Sequence, residues 1–389
     1  MSRSSATTPG WLRSTAINLI VLVAGILVAS LILEGLLRWH NPFQVRIKGN
    51  RIVLLTNTQV HINNDIIPTL DPSITITRNS LGFRGPNPPP DFESYLTIFT
   101  VGGSTTQCFF QSDDKTWTAR LGNNLERSFR NVWINNAGLD GHSTYGHLVL
   151  LEDIIRPLHP KVVLFLVGAN DVARDPDAEF DSENVKGTIS FQSPTAFVKS
   201  LSAYSEVAAL IANSYRSLNA YKHGLRHSYL DLTKEPYIDV PVDEQKRYVE
   251  HNSGHYLQLF QDRLQRIIEV SRTNNIDPVL ITQPLLAGDG IDDVTHVDLA
   301  RVTTSPGHNG KMYWDLLEAY NDVTRRVGRE QNVQVIDLAR KLPKTSRYFY
   351  DFIHYTNEGG QAVADIVYRN VCGPLQQKFA SHSAGSCPE

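Results

Sequence analysis

The sequence predicts an α/β fold built on a parallel sheet and carried behind one membrane-spanning helix. Three observations predict it. From residue 95 onward, short apolar runs alternate with helical patterns. One run, "VVLFLV" at 162–167, is apolar at every position, as a strand buried on both faces requires. Near the N-terminus, "AINLIVLVAGILVASLIL" (16–33) runs for 18 residues without a charge.

That first run is near the lower limit for crossing a hydrocarbon core of roughly 30 Å at about 1.5 Å per residue. Glu34 interrupts it, and "GLLRW" then resumes, with Arg38 and Trp39 placed as interface anchors. A cleaved signal peptide has an apolar region of about 7–15 residues ending in a small-x-small site. Here the run is longer, and the only small residues near its end, Ala29 and Ser30, lie inside it. A retained anchor over 14–38, behind a tail at 1–13, is therefore expected. Because the run is apolar on every face, a buried core helix is disfavoured. Orientation is opposed by the charges: Arg3 and Arg13 precede the span, whereas Arg38, Arg46, Lys48 and Arg51 follow it. A positive-inside count thus argues against exporting the C-terminal bulk.

Residues 39–94 lack sustained periodicity and contain "SLGFRGPNPPPD", a turn and stiff extended connection that reads as a stalk. The strand candidates are "YLTIFTV" (95–101), "VWIN" (132–135), "VVLFLV", "PVLITQ" (278–283) and "VQVIDL" (333–338). Helical patterns cover 116–129, 145–158, 256–273 and 313–330. This alternation describes βαβ units around a parallel sheet, within a domain spanning 95–372 and followed by a tail at 373–389. An insertion at 172–254 interrupts it. There Phe197, Leu201, Tyr204, Val207, Leu210, Ile211, Tyr215 and Leu218 recur at helical spacing. They predict a helix packing its stripe on the main core, or alternatively a lid over a cleft.

Composition narrows the function. Lys and Arg number 37 against 40 Asp and Glu, a net charge of −3 with no basic block, which sets nucleic-acid binding aside. Three cysteines are too few for a disulfide scaffold. Cys108 reads as a small buried hydrophobe. Cys372 and Cys387 either pair in an oxidising compartment or remain free thiols. His142 and His147 have no companion His/Asp cluster to complete a metal site, and no cofactor motif is present.

Ligands of an open parallel sheet bind beyond the carboxyl ends of its strands. Four segments place polar residues there: "GGS" with Ser104, "NAGLDGHST" with Gly138 and Gly141, "GAND" with Asn170 and Asp171, and "YDFIHYTNEGG" with Asp351 and His354. Singly each reads as turn chemistry. Together they supply what acyl transfer needs. A serine hydroxyl becomes nucleophilic when a positioned imidazole takes its proton, and that imidazole needs a carboxylate to set its tautomer. Asp351 and His354 are close enough for one short loop to carry both. The backbone around Ser104, the N–H of Gly141 and the amide of Asn170 are candidate donors to an oxyanion. Asp171 reads as a turn stabiliser. An α/β-hydrolase elbow is excluded, because Thr106 stands where Gly-x-Ser-x-Gly needs its last glycine.

The four blocks, in this order and over about 95–372, resemble the SGNH hydrolases, the GDSL esterase/lipase superfamily. "NSLGFRG" (79–85) and the "GGSTT" form of the first block are similar to membrane-anchored bacterial members. The resemblance implies a flavodoxin-like three-layer α/β/α sandwich. It implies Ser104 as nucleophile, His354 as general base, Asp351 as its orienting partner, and Gly141 and Asn170 beside Ser104 in the oxyanion hole. One departure is clear: the common first block is Gly-Asp-Ser, and Gly103 replaces its aspartate, which predicts a looser nucleophile loop. The implied activity is a serine esterase acting on an O-acyl ester of a carbohydrate, lipid or small molecule. An O-acyltransferase acting on a glycan and an inactive anchored scaffold are the alternatives. The resemblance also favours an extracytoplasmic catalytic domain.

Overall fold

The computed structural model describes residues 10–40, 47–49, 51–173, 194–222 and 227–388. In chain order the helices are α1 Gly10–Trp39, α2 Ser104–Gln107, α3 Trp117–Leu125, α4 Thr144–Leu150, α5 Pro194–Leu201, α6 Glu206–Lys222, α7 Val242–Thr273, α8 Gly310–Glu330, α9 Leu338–Lys341 and α10 Asn357–Lys378. The strands are β1 Ile47–Lys48, β2 Arg51–Ile52, β3 Thr58–Asn63, β4 Ser73–Arg78, β5 Leu96–Gly102, β6 Val132–Asn136, β7 Val162–Val167, β8 Asp277–Thr282, β9 Thr303–Ser305, β10 His308–Asn309 and β11 Val335–Ile336. The chain divides into two compact units, Met1–Val53 with Glu183–Leu225, and Leu54–Ser182 with Arg226–Glu389.

In the first unit, Ile17–Trp39 of α1 is exposed over most of its length, with Leu37 buried near its end, has a mean hydropathy of 2.6, and is long and apolar enough to cross a membrane. Glu34, the acid that interrupts the apolar pattern, caps α6. Its carboxylate accepts hydrogen bonds from Ser205 Oγ at 2.8 Å and from the N–H groups of Glu206 and Val207 at 3.1 Å. A negative charge satisfying the free N–H groups of a first turn favours starting a helix there. The insertion's stripe accordingly forms two helices, α5 and α6, rather than one. It clusters with residues 1–53 rather than with the main core, and Tyr204, Ile211, Tyr215 and Leu218 remain exposed. Residues 174–193 and 223–226 of the expected insertion, and 1–9 of the expected tail, lie outside the described residues.

The second unit holds the sheet. Its order is β11-β8-β7-β5-β6, and every pairing is parallel. Counted along the chain this is the flavodoxin-type order, whose switch point falls between β5 and β7. Helix α3 packs on α10, while α7 packs on both α4 and α8, completing three layers. All six residues of β7 and all seven of β5 are buried. The edge strand β11, paired on one side only, shrinks to two residues. A kink at Gly254 divides α7, so the helical pattern expected from residue 256 is its second half.

The C-terminal tail is tied down. Cys372, fully buried in the core cluster, forms a disulfide with Cys387, and Ala384 and Gly385 donate backbone hydrogen bonds to Ser128 O. Replacing both cysteines by serine is expected to lower stability by about 3 kcal/mol, the loop-closure value for a separation of 15 residues. Urea unfolding of both forms under oxidising conditions checks this.

Candidate active site

Strand β5 delivers Ser104 through two glycines whose absent side chains are filled by neighbours. A Cβ on Gly102 would lie 2.2 Å from Thr106 Oγ1, and one on Gly103 would lie 2.3 Å from Asn170 Nδ2. Both distances are far inside van der Waals contact, so an aspartate at position 103 would displace Asn170. Gly103 is buried, and the asparagine amide packs where a side chain at that position would lie.

Ser104 opens α2, and its Oγ lies 2.7 Å from His354 Nε2. His354 Nδ1 lies 2.6 Å from Asp351 Oδ2. A carboxylate only accepts, so Nδ1–H donates to it and Nε2 is left to accept the serine proton. The other carboxylate oxygen of Asp351 accepts the N–H groups of Ile353 and His354 at 2.8 and 2.7 Å. Burial works to raise the Asp351 pKa. His354 and these hydrogen bonds outweigh it and hold the carboxyl below its ordinary value. The loop itself is fixed by Gln111, whose amide donates to Thr356 O at 2.7 Å and Tyr355 O at 3.3 Å.

Asn170 sits on the turn after β7, and its Nδ2 donates to His142 O at 3.1 Å. That joins the third block to the residue after Gly141. The two glycines of the second block differ in kind. Gly138 is buried, donates to Asn136 Oδ1, and a Cβ there would strike Gln107 N at 2.2 Å. Gly141 is exposed at the strand-end turn with φ +74°, a conformation glycine adopts without strain. If the Asn170 amide receives an oxyanion, replacing it by alanine is expected to lower kcat about 10²- to 10³-fold, the cost of losing one such donor. Steady-state kinetics with an activated ester measures this.

Asp171 does more than brace its turn. It is completely buried and accepts from Thr144 N at 3.0 Å, Thr144 Oγ1 at 2.5 Å and Arg263 Nη2 at 3.1 Å. Arg263 also donates to Thr144 Oγ1 at 2.6 Å and stacks over Tyr145. The third block, the start of α4 and α7 are thereby locked together. His147 is buried in the same region. Desolvation is the main cause that holds its pKa down to about 4, against the pull of Asp171. The unfolded chain then binds more protons, so stability is full above about pH 6.5 and falls by roughly 3 kcal/mol as pH drops to about 4. In His147→Gln this part of the pH dependence should vanish from urea titrations.

Sequence reasoning passed over His227, which stands inside the 172–254 insertion beyond its helical stripe, with no motif around it. Its ring centroid lies 4.4 Å from that of His354. Donor atoms of His227, Asp351 and His354 lie within 4.8 Å of one another. The Asp351 oxygens are already occupied by His354 and Ile353, and the His227 nitrogens bond to Tyr350 and Asp140, so the three are committed to hydrogen bonds rather than arranged as a ready metal cage. Beside Ser104 is a cavity of about 10 Å³ lined by Thr105, Cys108, Phe110, Tyr350 and Tyr355, among others.

Residues 100–362 match the GDSL-like Lipase/Acylhydrolase family. Solved structures similar to this chain include a lipase/acylhydrolase from Enterococcus faecalis, at 15% identity and TM-score 0.39, with 72% of this chain and 96% of that chain covered. A catalytic mutant of an acetylxylan esterase from Geobacillus stearothermophilus is similar at 13% identity and TM-score 0.39, covering 70% and 93% of the two chains. Comparison with curated proteins returned no match. With its family match covering most of the sheet domain, the chain belongs to the GDSL-like lipase/acylhydrolase family and is a serine ester hydrolase.

Proposed function

We propose that the protein is an anchored esterase that removes a short O-acyl group through an acyl-enzyme. The observation that carries this is the unbroken line of hydrogen bonds from Ser104 through His354 to Asp351. Ser104 Oγ attacks the ester carbonyl while its proton passes to His354 Nε2. Asp351 keeps the opposite N–H in place and stabilises the imidazolium. The carbonyl oxygen, now negative, is received by the N–H groups of Ser104 and Gly141 and by the Asn170 amide. Collapse of the tetrahedral intermediate expels the alcohol, which takes the proton from His354. Water then repeats the sequence on the acyl-serine, releasing the acid and restoring Ser104.

The small cavity beside Ser104 supports a short acyl group such as acetyl, because about 10 Å³ is room for roughly one water-sized group. The Cys372–Cys387 disulfide supports an extracytoplasmic catalytic domain, since such bonds persist in oxidising compartments. This outweighs the positive-inside count, with α1 as a single-pass anchor. A series of p-nitrophenyl esters from acetate to octanoate, given to the full chain in detergent, tests the reading. Turnover should be fastest on acetate and absent in Ser104→Ala. Turnover unaffected by that substitution would overturn it. An acylated sugar formed when an oligosaccharide is added would reassign the enzyme to acyl transfer.

A further inference from the structure

His227 makes contacts that the proton relay itself does not require. Its Nδ1 lies 2.8 Å from Tyr350 Oη and its Nε2 lies 3.3 Å from Asp140 Oδ2. These partners set its tautomer. The carboxylate only accepts, so Nε2–H donates to Asp140, and Nδ1 accepts the Tyr350 hydroxyl proton. Each partner leads to a different part of the site. Tyr350 stacks on the His354 ring at 5.5 Å and 12°, and its N–H donates to His354 O at 3.0 Å. Asp140 immediately precedes Gly141, and its N–H donates to Gln107 Oε1 at 2.5 Å.

The imidazole of His227 is also wedged against aromatic rings. Phe109 stacks on it at 6.2 Å and 19°, and Phe110 meets it edge-on at 5.3 Å. Only 11% of its side chain is exposed. A polar ring held this way has few alternative orientations, so its two hydrogen bonds act as a fixed spacer.

We propose that His227 is a positioning residue that holds the His354 ring, through Tyr350, in register with the Gly141 turn, through Asp140. The inference rests on the acyl-enzyme reading above. A base and an oxyanion donor on separate loops must keep their spacing through the reaction, and a misplacement of about 1 Å can cost about 10²-fold in rate. His227 touches neither the reacting oxygen nor the acyl group in this role. Its effect therefore belongs in kcat and not in substrate affinity.

The test uses the full-length protein with three variants, His227→Ala, His227→Gln and Tyr350→Phe. Two rates are read: ester turnover, and phosphonylation of Ser104 by a fluorophosphonate followed by intact mass. His227→Ala should lower kcat and the phosphonylation rate about 10- to 100-fold, with KM changed less than twofold. Glutamine offers an amide N–H donor group beside a carbonyl acceptor and should recover part of the loss. Tyr350→Phe keeps the stacked ring but not the hydroxyl, and should fall between wild type and His227→Ala. Thermal melts show whether each variant is folded, and Tyr350→Phe keeps the question answerable if His227→Ala does not fold. Wild-type phosphonylation rates in folded His227→Ala or in Tyr350→Phe, or a loss confined to KM, would overturn the role of His227 alone. A wild-type protein that neither turns over esters nor accepts the phosphonate at Ser104 would overturn the acyl-enzyme reading and the positioning role with it.

Discussion

Replacing Ser104 by alanine is expected to lower kcat by roughly 10⁴- to 10⁶-fold while leaving the fold intact. The hydroxyl is the atom that forms the acyl bond in the proposed mechanism, and His354 without it has only solvent to activate. In serine hydrolases, loss of one member of such a unit costs nearly as much as losing all of it. The structural cost is small by comparison. Ser104 is at the start of a short helix, and the substitution removes one side-chain hydrogen bond, worth about 1 kcal/mol. Kinetics and thermal melts on the same preparation separate the two effects. Mass spectrometry after an activated acetyl ester should find a transient 104-acyl adduct in wild type and none in the variant. Comparable turnover in both proteins would mean that the chemistry lies elsewhere.

The largest effect on stability is expected at Asp171, which no acyl-transfer step uses. Alanine there would leave Arg263, only 8% exposed in its side chain, facing a cavity without its carboxylate. Breaking a buried pair from one side typically costs about 3–5 kcal/mol, because the remaining charge has lost its compensation. The first turn of α4 also loses its acceptor for Thr144 N. Urea denaturation of Asp171→Ala should show that loss, and Asp171→Asn, which keeps an acceptor oxygen, a smaller one. A shift under 1 kcal/mol for alanine would show that water reaches Arg263 and replaces the partner.

Much of the sheet was legible because strands buried on both faces have little freedom in composition. "VVLFLV" begins and ends where β7 does, and the strand ends carrying Ser104 and Asn170 lie on the neighbouring strands β5 and β7. Residues 250 positions apart meet at Ser104 and His354 because each was marked by a local motif at a strand end or loop. The parts that stayed hidden depend on partners far along the chain. The start of α6 is capped by Glu34, 171 residues before Ser205. Gly103 looked like a missing carboxylate, yet its reason lies in the packing of Asn170. His227 carries no pattern at all, and its place is defined only by the rings folded around it.

The sheet order has a consequence for how the protein fails on warming. Ser104 follows β5 near one side, whereas the loop bearing His354 comes in the chain after β11, the strand at the far edge, with β7 and β8 between those two strands. Among the described residues no strand pairing joins those two elements, so their alignment is carried by contacts such as Gln111 to the Tyr355 and Thr356 carbonyls and by Phe349 and Tyr355 in the core. Segments held by a few loop contacts open at lower free energy than core strands do. Heat inactivation of this molecule is thus expected to precede its spectroscopic melting, which activity and circular dichroism followed on one heated sample would check.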